Sequence, residues 1–314
     1  MFSRSIWSLV SFATLALAAT IPKRRATTCN GSPELCNRSY GNVTFIGSHD
    51  SFAFSKDKLA LSRDQTIDIP SQLNLGVRAL QAQSHMKDGV LHFCHTSCIL
   101  FDGGSVVNYL KTVKTFLDAN PNEVLTLIFT NPEGVSPAKV WKPAFDEAGM
   151  TDLAFVPKSI PVKQSEWPTL GEMIDSGKRV VVFMDANAEG PESVPFILPE
   201  FQMIWETPFS VTDANFPCKI DRSGGPLADI DHMYMINHSL NKNLVPSIFG
   251  DLFGEGIIVS DPDNADRTNG VESIMANVNG CSPLAGNRSP NFILLDFVEK
   301  GDAFNVAKKL NGLA

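Results

Sequence analysis

Eight short apolar runs, most of them separated by segments of helical period, set the tightest limit on what this chain can fold into. They are Val43–Gly47, Val77–Gln83, Val90–Cys94, Val124–Thr130, Arg179–Asp185, Gln202–Trp205, Met233–Asn237 and Asn291–Val298. Val124–Thr130 and Arg179–Asp185 are almost unbroken, the pattern of strands covered on both faces. Asp68–Leu75, Ser105–Leu117, Ala138–Ala148 and Leu170–Ser176 read as helices between the runs, and Ala303–Leu310 as a closing helix. This alternation predicts an α/β fold, a single (β/α)8 barrel of the TIM type. The weak sixth run and the long connection 206–231 make the expected barrel irregular. An open doubly wound sheet is the alternative, but no glycine-rich nucleotide loop follows the first run.

The N-terminus has a different task. Arg4 precedes the apolar run Ile6–Leu17, and Ala16-Leu17-Ala18 has the small-x-small form of a cleavage site. Residues 1–19 read as a secretory signal peptide, and Lys23-Arg24-Arg25 as a dibasic cut ending a short propeptide, 20–25. The expected mature domain is 26–314, a secreted, extracellular monomer. No later run approaches the roughly 20 apolar residues of a membrane span. Five glycosylation sequons fit that address, at Asn30, Asn37, Asn42, Asn237 and Asn287. The six cysteines fall into plausible pairs, Cys29–Cys36, Cys94–Cys98 and Cys218–Cys281. That is one of 15 possible arrangements.

Formal charge is −8, and loss of Arg4, Lys23, Arg24 and Arg25 takes it to −12. Such a balance argues against nucleic acid and against simple electrostatic attachment to anionic membranes.

In a barrel of this kind the chemistry lies at the C-terminal strand ends. Those ends offer His49 and Asp50, then Gln81, Gln83 and His85, then His95, Thr130, Asn131, Asp185, Asn237, His238 and Asp296. Two histidines released from neighbouring strands suit general acid–base work, one taking a proton and the other giving one.

Gly47-Ser48-His49-Asp50-Ser51, Gly76–Gln83, Leu91–Cys98 and Asn120–Leu127 resemble the X-domain of phosphatidylinositol-specific phospholipase C. They are closer still to the secreted fungal PLC-like phosphodiesterases, and Pro290–Phe297 fits that family's last strand. The resemblance implies that His49 is the general base for attack of an inositol 2-hydroxyl on phosphorus, giving a cyclic phosphodiester. It implies that His95 protonates the leaving alcohol, with Asp296 orienting His49 and Asp50 orienting His95. Gln81, Gln83, His85, Asn131 and Asp185 are the expected substrate-binding set. The expected substrate is an inositol phospholipid or a glycosylated inositol lipid, met at most through transient contact with a membrane surface.

The chain also departs from the family. Eukaryotic relatives place acidic calcium ligands where Gln81, Gln83 and Thr130 stand here, and neutral side chains bind calcium weakly. No metal and no cofactor are therefore expected. Metal-independent bacterial relatives carry an arginine at the position of Gln83, and that cation is absent too. A protonated His85, in phase with Gln81 and Gln83, is one candidate replacement. A catalytically weak member that binds a head group or sugar phosphate is the competing expectation. His92, Cys94, His95 and Cys98 also have zinc-like spacing, against which stands a Cys94–Cys98 bridge. Asp185 is open between binding a polyol and capping a helix.

Overall fold

The computed structural model describes residues 25–244 and 258–313. The expected signal peptide, and all of the expected propeptide but Arg25, lie outside them. The strands in chain order are β1 Phe45–Ser48, β2 Ala79–Lys87, β3 Val90–Cys94, β4 Asp102–Ser105, β5 Leu125–Thr130 and β6 Val180–Met184. Then come β7 Ile197–Pro199, β8 Ile204–Glu206, β9 Met233–Asn237, β10 Asn241–Asn243, β11 Ile258–Ser260 and β12 Phe292–Leu295. The α-helices are α1 Ile69–Leu75, α2 Val106–Ala119, α3 Lys142–Glu147, α4 Leu170–Ser176, α5 Ala265–Thr268, α6 Val271–Cys281 and α7 Ala303–Leu310.

Eight strands make one curled parallel sheet in the order β7-β6-β5-β2-β1-β12-β9-β8. The edge strands β7 and β8 are joined through the short turn Glu200–Gln202 and not by a described ladder. This is an irregular α/β barrel, with one change of membership from the sequence expectation. Val90–Cys94 is not a barrel strand. It pairs antiparallel with the far half of β2, from Ser84 opposite Phe93 to Lys87 opposite Val90. The cause is Asp88-Gly89, with φ of 50° and 79°, a two-residue hairpin turn that folds the chain straight back. The vacant barrel place goes to Ile197–Pro199, too short to show as a periodic run.

Period-two alternation then sorts the side chains. Ile46, Leu80, Leu127 and Val182 face outward into the layer beneath the helices. Phe45, Ala79, Ile128, Val181, Phe183, Met235, Phe292 and Leu294 belong to the second cluster, inside the barrel. Asp68 accepts the N–H of Ser71 to cap α1, and Gly76, at φ 119°, ends that helix before the chain enters β2. The helix α6 is an addition to the expected set, with Ile274, Val278 and Cys281 on its buried face.

Three disulfides are formed: Cys29–Cys36, Cys94–Cys98 and Cys218–Cys281. The sequon at Asn237 requires correction. Its side chain is buried and donates to Glu206 Oε2 at 3.2 Å and to the Thr207 carbonyl at 2.7 Å, leaving no room for a glycan. Asn37, Asn42 and Asn287 are exposed, whereas Asn30 uses its amide on the backbone of Val124.

Candidate active site

A cavity of about 370 Å³ opens at the C-terminal ends of the barrel strands. Its floor is Ile128, Met235 and Leu294, and Thr130 and Asn237, two places beyond the first two, rise as walls. His49, Gln81, Gln83, Thr130, Asp185, Asn237, Glu200 and Glu206 all line it, and His95 enters from the loop after β3.

The two histidines face each other with ring centroids 6.5 Å apart. His49 Nδ1–H donates to Asp296 Oδ1 at 2.8 Å, which leaves Nε2 as the position for proton exchange with the cavity. Burial pulls the His49 imidazolium down, but Asp296, helped by Asp50 and Asp64, overturns this and raises it to about 10. His95 Nδ1–H donates to the Ser62 carbonyl at 2.8 Å, which leaves its Nε2 as the transferable position. Two carboxylates flank the His95 ring, Asp50 at the longer distance. Asp50 Oδ2 lies 3.7 Å from His95 Nε2, beyond hydrogen-bond reach, while Asp64 Oδ2 stands 3.1 Å from Nδ1. Asp50 instead accepts the N–H of Gln83 at 3.0 Å, and its own N–H donates to Gln81 Oε1 at 2.7 Å.

Gln81 and Gln83 thus serve as structural braces of the site. Gln83 Oε1 accepts the N–H of Thr96 at 2.6 Å, holding a β-branched residue at a φ of 62°. Both carbonyl oxygens are thus committed to backbone N–H groups. Metal-like groupings exist. Asp64 lies with His49 and Asp296, and also with Asp50 and His95, with ligand atoms within 4.8 Å of one another. These are the residues of the imidazole–carboxylate pairs. In the third grouping, His92, Cys94 and Asp102, the sulfur is held in a disulfide and His92 bonds Asp102 at 2.8 Å.

Two expected binding residues fall elsewhere. His85 is in phase with Gln81 and Gln83, but β2 has left the barrel by then, and its ring pairs with Glu133 at 3.0 Å. It does not line the cavity. Asn131 is one residue out of phase with Thr130. It is fully buried, and its amide donates to the Val135 and Ala186 carbonyls, anchoring the loop after β5.

Residues not anticipated fill the end of the cavity away from β1. Glu206 pairs with Arg222, whose guanidinium lies 4.7 Å from the Phe209 ring centroid and 5.2 Å from that of Phe201. Burial, then the neighbouring Glu206, push the Glu200 carboxyl well above its usual range. Burial also raises Asp185, which accepts the N–H of Asn131 at 2.8 Å. The signal for Glu200 and Glu206 was the same period: each follows an inward-facing residue, Leu198 or Ile204, by two.

The PI-PLC X 1 family model matches residues 35–311. PI-PLC X domain-containing protein 1 of Arthroderma benhamiae is 43% identical over 307 residues, covering 96% of this chain and 94% of that protein. An uncharacterized secreted protein of the same fungus is 40% identical over 294 residues, covering 91% of this chain and 64% of its own length. Among solved structures, a phosphatidylinositol-specific phospholipase C from Staphylococcus aureus superposes with a TM-score of 0.54 at 16% identity, over 87% of this chain and 93% of that one. A double mutant of the same bacterial enzyme gives 0.55 at 15% identity, over 90% and 95%. The structural likeness bears on the fold, and the sequence matches on descent: the chain belongs to the PI-PLC X family.

Proposed function

We propose that the protein is a secreted phosphodiesterase that cleaves an inositol phosphodiester by intramolecular attack, using His49 as base and His95 as acid without a metal. One observation carries this reading: two imidazoles face each other across a cavity, each with Nδ1 tied to a partner and Nε2 left for proton transfer. With its ring in the neutral form, which grows in as pH rises towards 10, His49 takes the proton of the 2-hydroxyl, whose oxygen attacks phosphorus. The bond to the leaving alcohol breaks as His95 Nε2 protonates it, giving a cyclic phosphodiester. Gln81 and Gln83, with their carbonyl oxygens engaged, offer amide N–H groups to the phosphoryl oxygens. Asp185, Glu200 and Glu206 suit hydroxyl groups of a polyol ring. Leu59, Leu61, Ile99, Leu100 and Phe209 are all more than half exposed, on the loops around His95 and the cavity mouth. This fits transient contact with a lipid surface. Secretion accords with the secreted fungal relative and the N-terminal signal pattern. Glycans are assigned to Asn37, Asn42 and Asn287.

A second reading, a binder of a lipid head group or sugar phosphate without turnover, is favoured by one fact. The arginine lining the cavity, Arg222, is already held by Glu206. Release of cyclic inositol phosphate from phosphatidylinositol, measured with and without chelator, decides between them. Chelator-resistant turnover that falls by about 10²–10⁴-fold in both His49→Ala and His95→Ala is expected. Absence of turnover with retained binding would establish the second reading, and turnover abolished by chelator would refute the metal-free step.

A further inference from the structure

The loop between β1 and α1 does more than cover the site. A bridge between Phe54 and Gln65 closes it, and Gln65 Nε2 donates to the carbonyls of His49 and Leu295 at 2.8 and 3.1 Å. Asp64 sits inside this brace at 0% exposure. Its N–H donates to the Ala53 carbonyl and its own carbonyl accepts from Phe297, so its backbone is held between the segments that follow β1 and β12. Asp64 Oδ1 accepts the hydroxyl of Ser260. Asp64 Oδ2 makes no hydrogen bond among the described residues and lies against His95 Nδ1.

We infer that Asp64 is the positioning residue of the proton donor: with the Ser62 carbonyl it fixes the Nδ1 proton of His95 and favours the doubly protonated ring. This rests on the reading of His95 as the acid. A ring that is to release a proton from Nε2 must carry protons on both nitrogens beforehand. A buried carboxylate beside Nδ1 stabilises that form without competing for Nε2, which faces the cavity. The groups around His95 are Asp50, Asp64, His49 and the Ser62 carbonyl. Burial pulls the His95 imidazolium down, and Asp64, followed by Asp50, more than restores it. Burial raises Asp64 itself to about 7, opposed mainly by His95, as for two groups that hold a proton in common.

The test begins with the NMR titration of the His95 ring in the wild type and in Asp64→Asn, which keeps the shape and removes the charge. The His95 midpoint should fall by about 1–3 pH units, the usual effect of losing an adjacent opposite charge. Ser260→Ala, which only loosens Asp64, should produce a smaller fall in the same direction. An unmoved midpoint in Asp64→Asn overturns the inference. The second arm compares two inositol phosphodiesters, one with a diacylglycerol leaving group and one with p-nitrophenol, which departs without a proton. Asp64→Asn should lose about 10²-fold on the first and little on the second. Equal losses on both would show a structural role and overturn the assignment. Failure of the wild type on both substrates would remove the phosphodiesterase reading alone, because the titration still decides what Asp64 does to His95.

Discussion

His49 and Asp296 set a measurable relation between charge and stability. Burial works against a charged ring here, yet Asp296 at 2.8 Å, with Asp50 and Asp64 behind it, holds the His49 imidazolium at about 10. The ordinary value is about 6.5. A folded-state value above the unfolded one means that the native protein binds the extra proton. The stabilisation is therefore complete below about pH 6.5 and is lost as pH rises towards 10. The thermal midpoint of the wild type should fall across that window, and Asp296→Asn should flatten the fall. Midpoints measured every half pH unit decide it, and an undiminished slope in Asp296→Asn would mean that another group supplies the proton. The same residues show what sequence could reveal. His49, Asp185 and Asp296 were legible because each ends a strong apolar run. Asp64 was not, since it acts from a loop whose path is set by contacts with β12, and nothing local in its sequence reports them.

At the scale of elements, two disulfides ought to have separable effects. Cys94–Cys98 closes a loop of 4 residues that contains His95, while Cys218–Cys281 joins the 207–231 connection to the end of α6 across a separation of 63. Loop entropy assigns the short bridge about 2 kcal/mol of stability and the long one about 4 kcal/mol. Replacing Cys218 and Cys281 by Ala should accordingly lower the denaturation midpoint by roughly twice as much as replacing Cys94 and Cys98. The short bridge should be the one that matters to turnover, because Thr96, at its positive φ, and His95 both lie within it. The reverse pattern, with turnover lost only on removal of Cys218–Cys281, would place the critical order in the 207–231 connection. Elements also mark where the sequence reading stopped short. Eight barrel strands were expected and eight are present among the described residues, but Asp88-Gly89 diverted one run into a hairpin and Ile197–Pro199 replaced it. A three-residue strand takes its identity from the neighbour it pairs with, β6, and not from any pattern of its own.

For the whole molecule, the distribution of charge bears on which head group the cavity accepts. The chain carries −8 overall, and the cavity concentrates acids: Asp50 and Asp64 beside the histidines, Asp185, Glu200 and Glu206 away from them. Arg222 is the one lysine or arginine among the described lining residues, and Glu206 engages it. Hydroxyl groups both donate and accept, so an unmodified polyol ring matches the carboxyl groups of Asp185, Glu200 and Glu206 at this end of the cavity. A ring phosphate would add nearly two negative charges at neutral pH where no free cation awaits them. Like charges brought together in this way cost several kcal/mol, and each 1.4 kcal/mol is a factor of ten. Phosphatidylinositol should therefore exceed phosphatidylinositol 4-phosphate in kcat/KM by at least about 100-fold. Glu206→Gln, which releases Arg222, should narrow that gap by improving the phosphorylated substrate. Assays on mixed micelles of equal surface concentration make the comparison direct. Equal rates on both lipids would show that the acidic end does not face the ring at all, and would turn the head group towards the Thr130 side of the cavity.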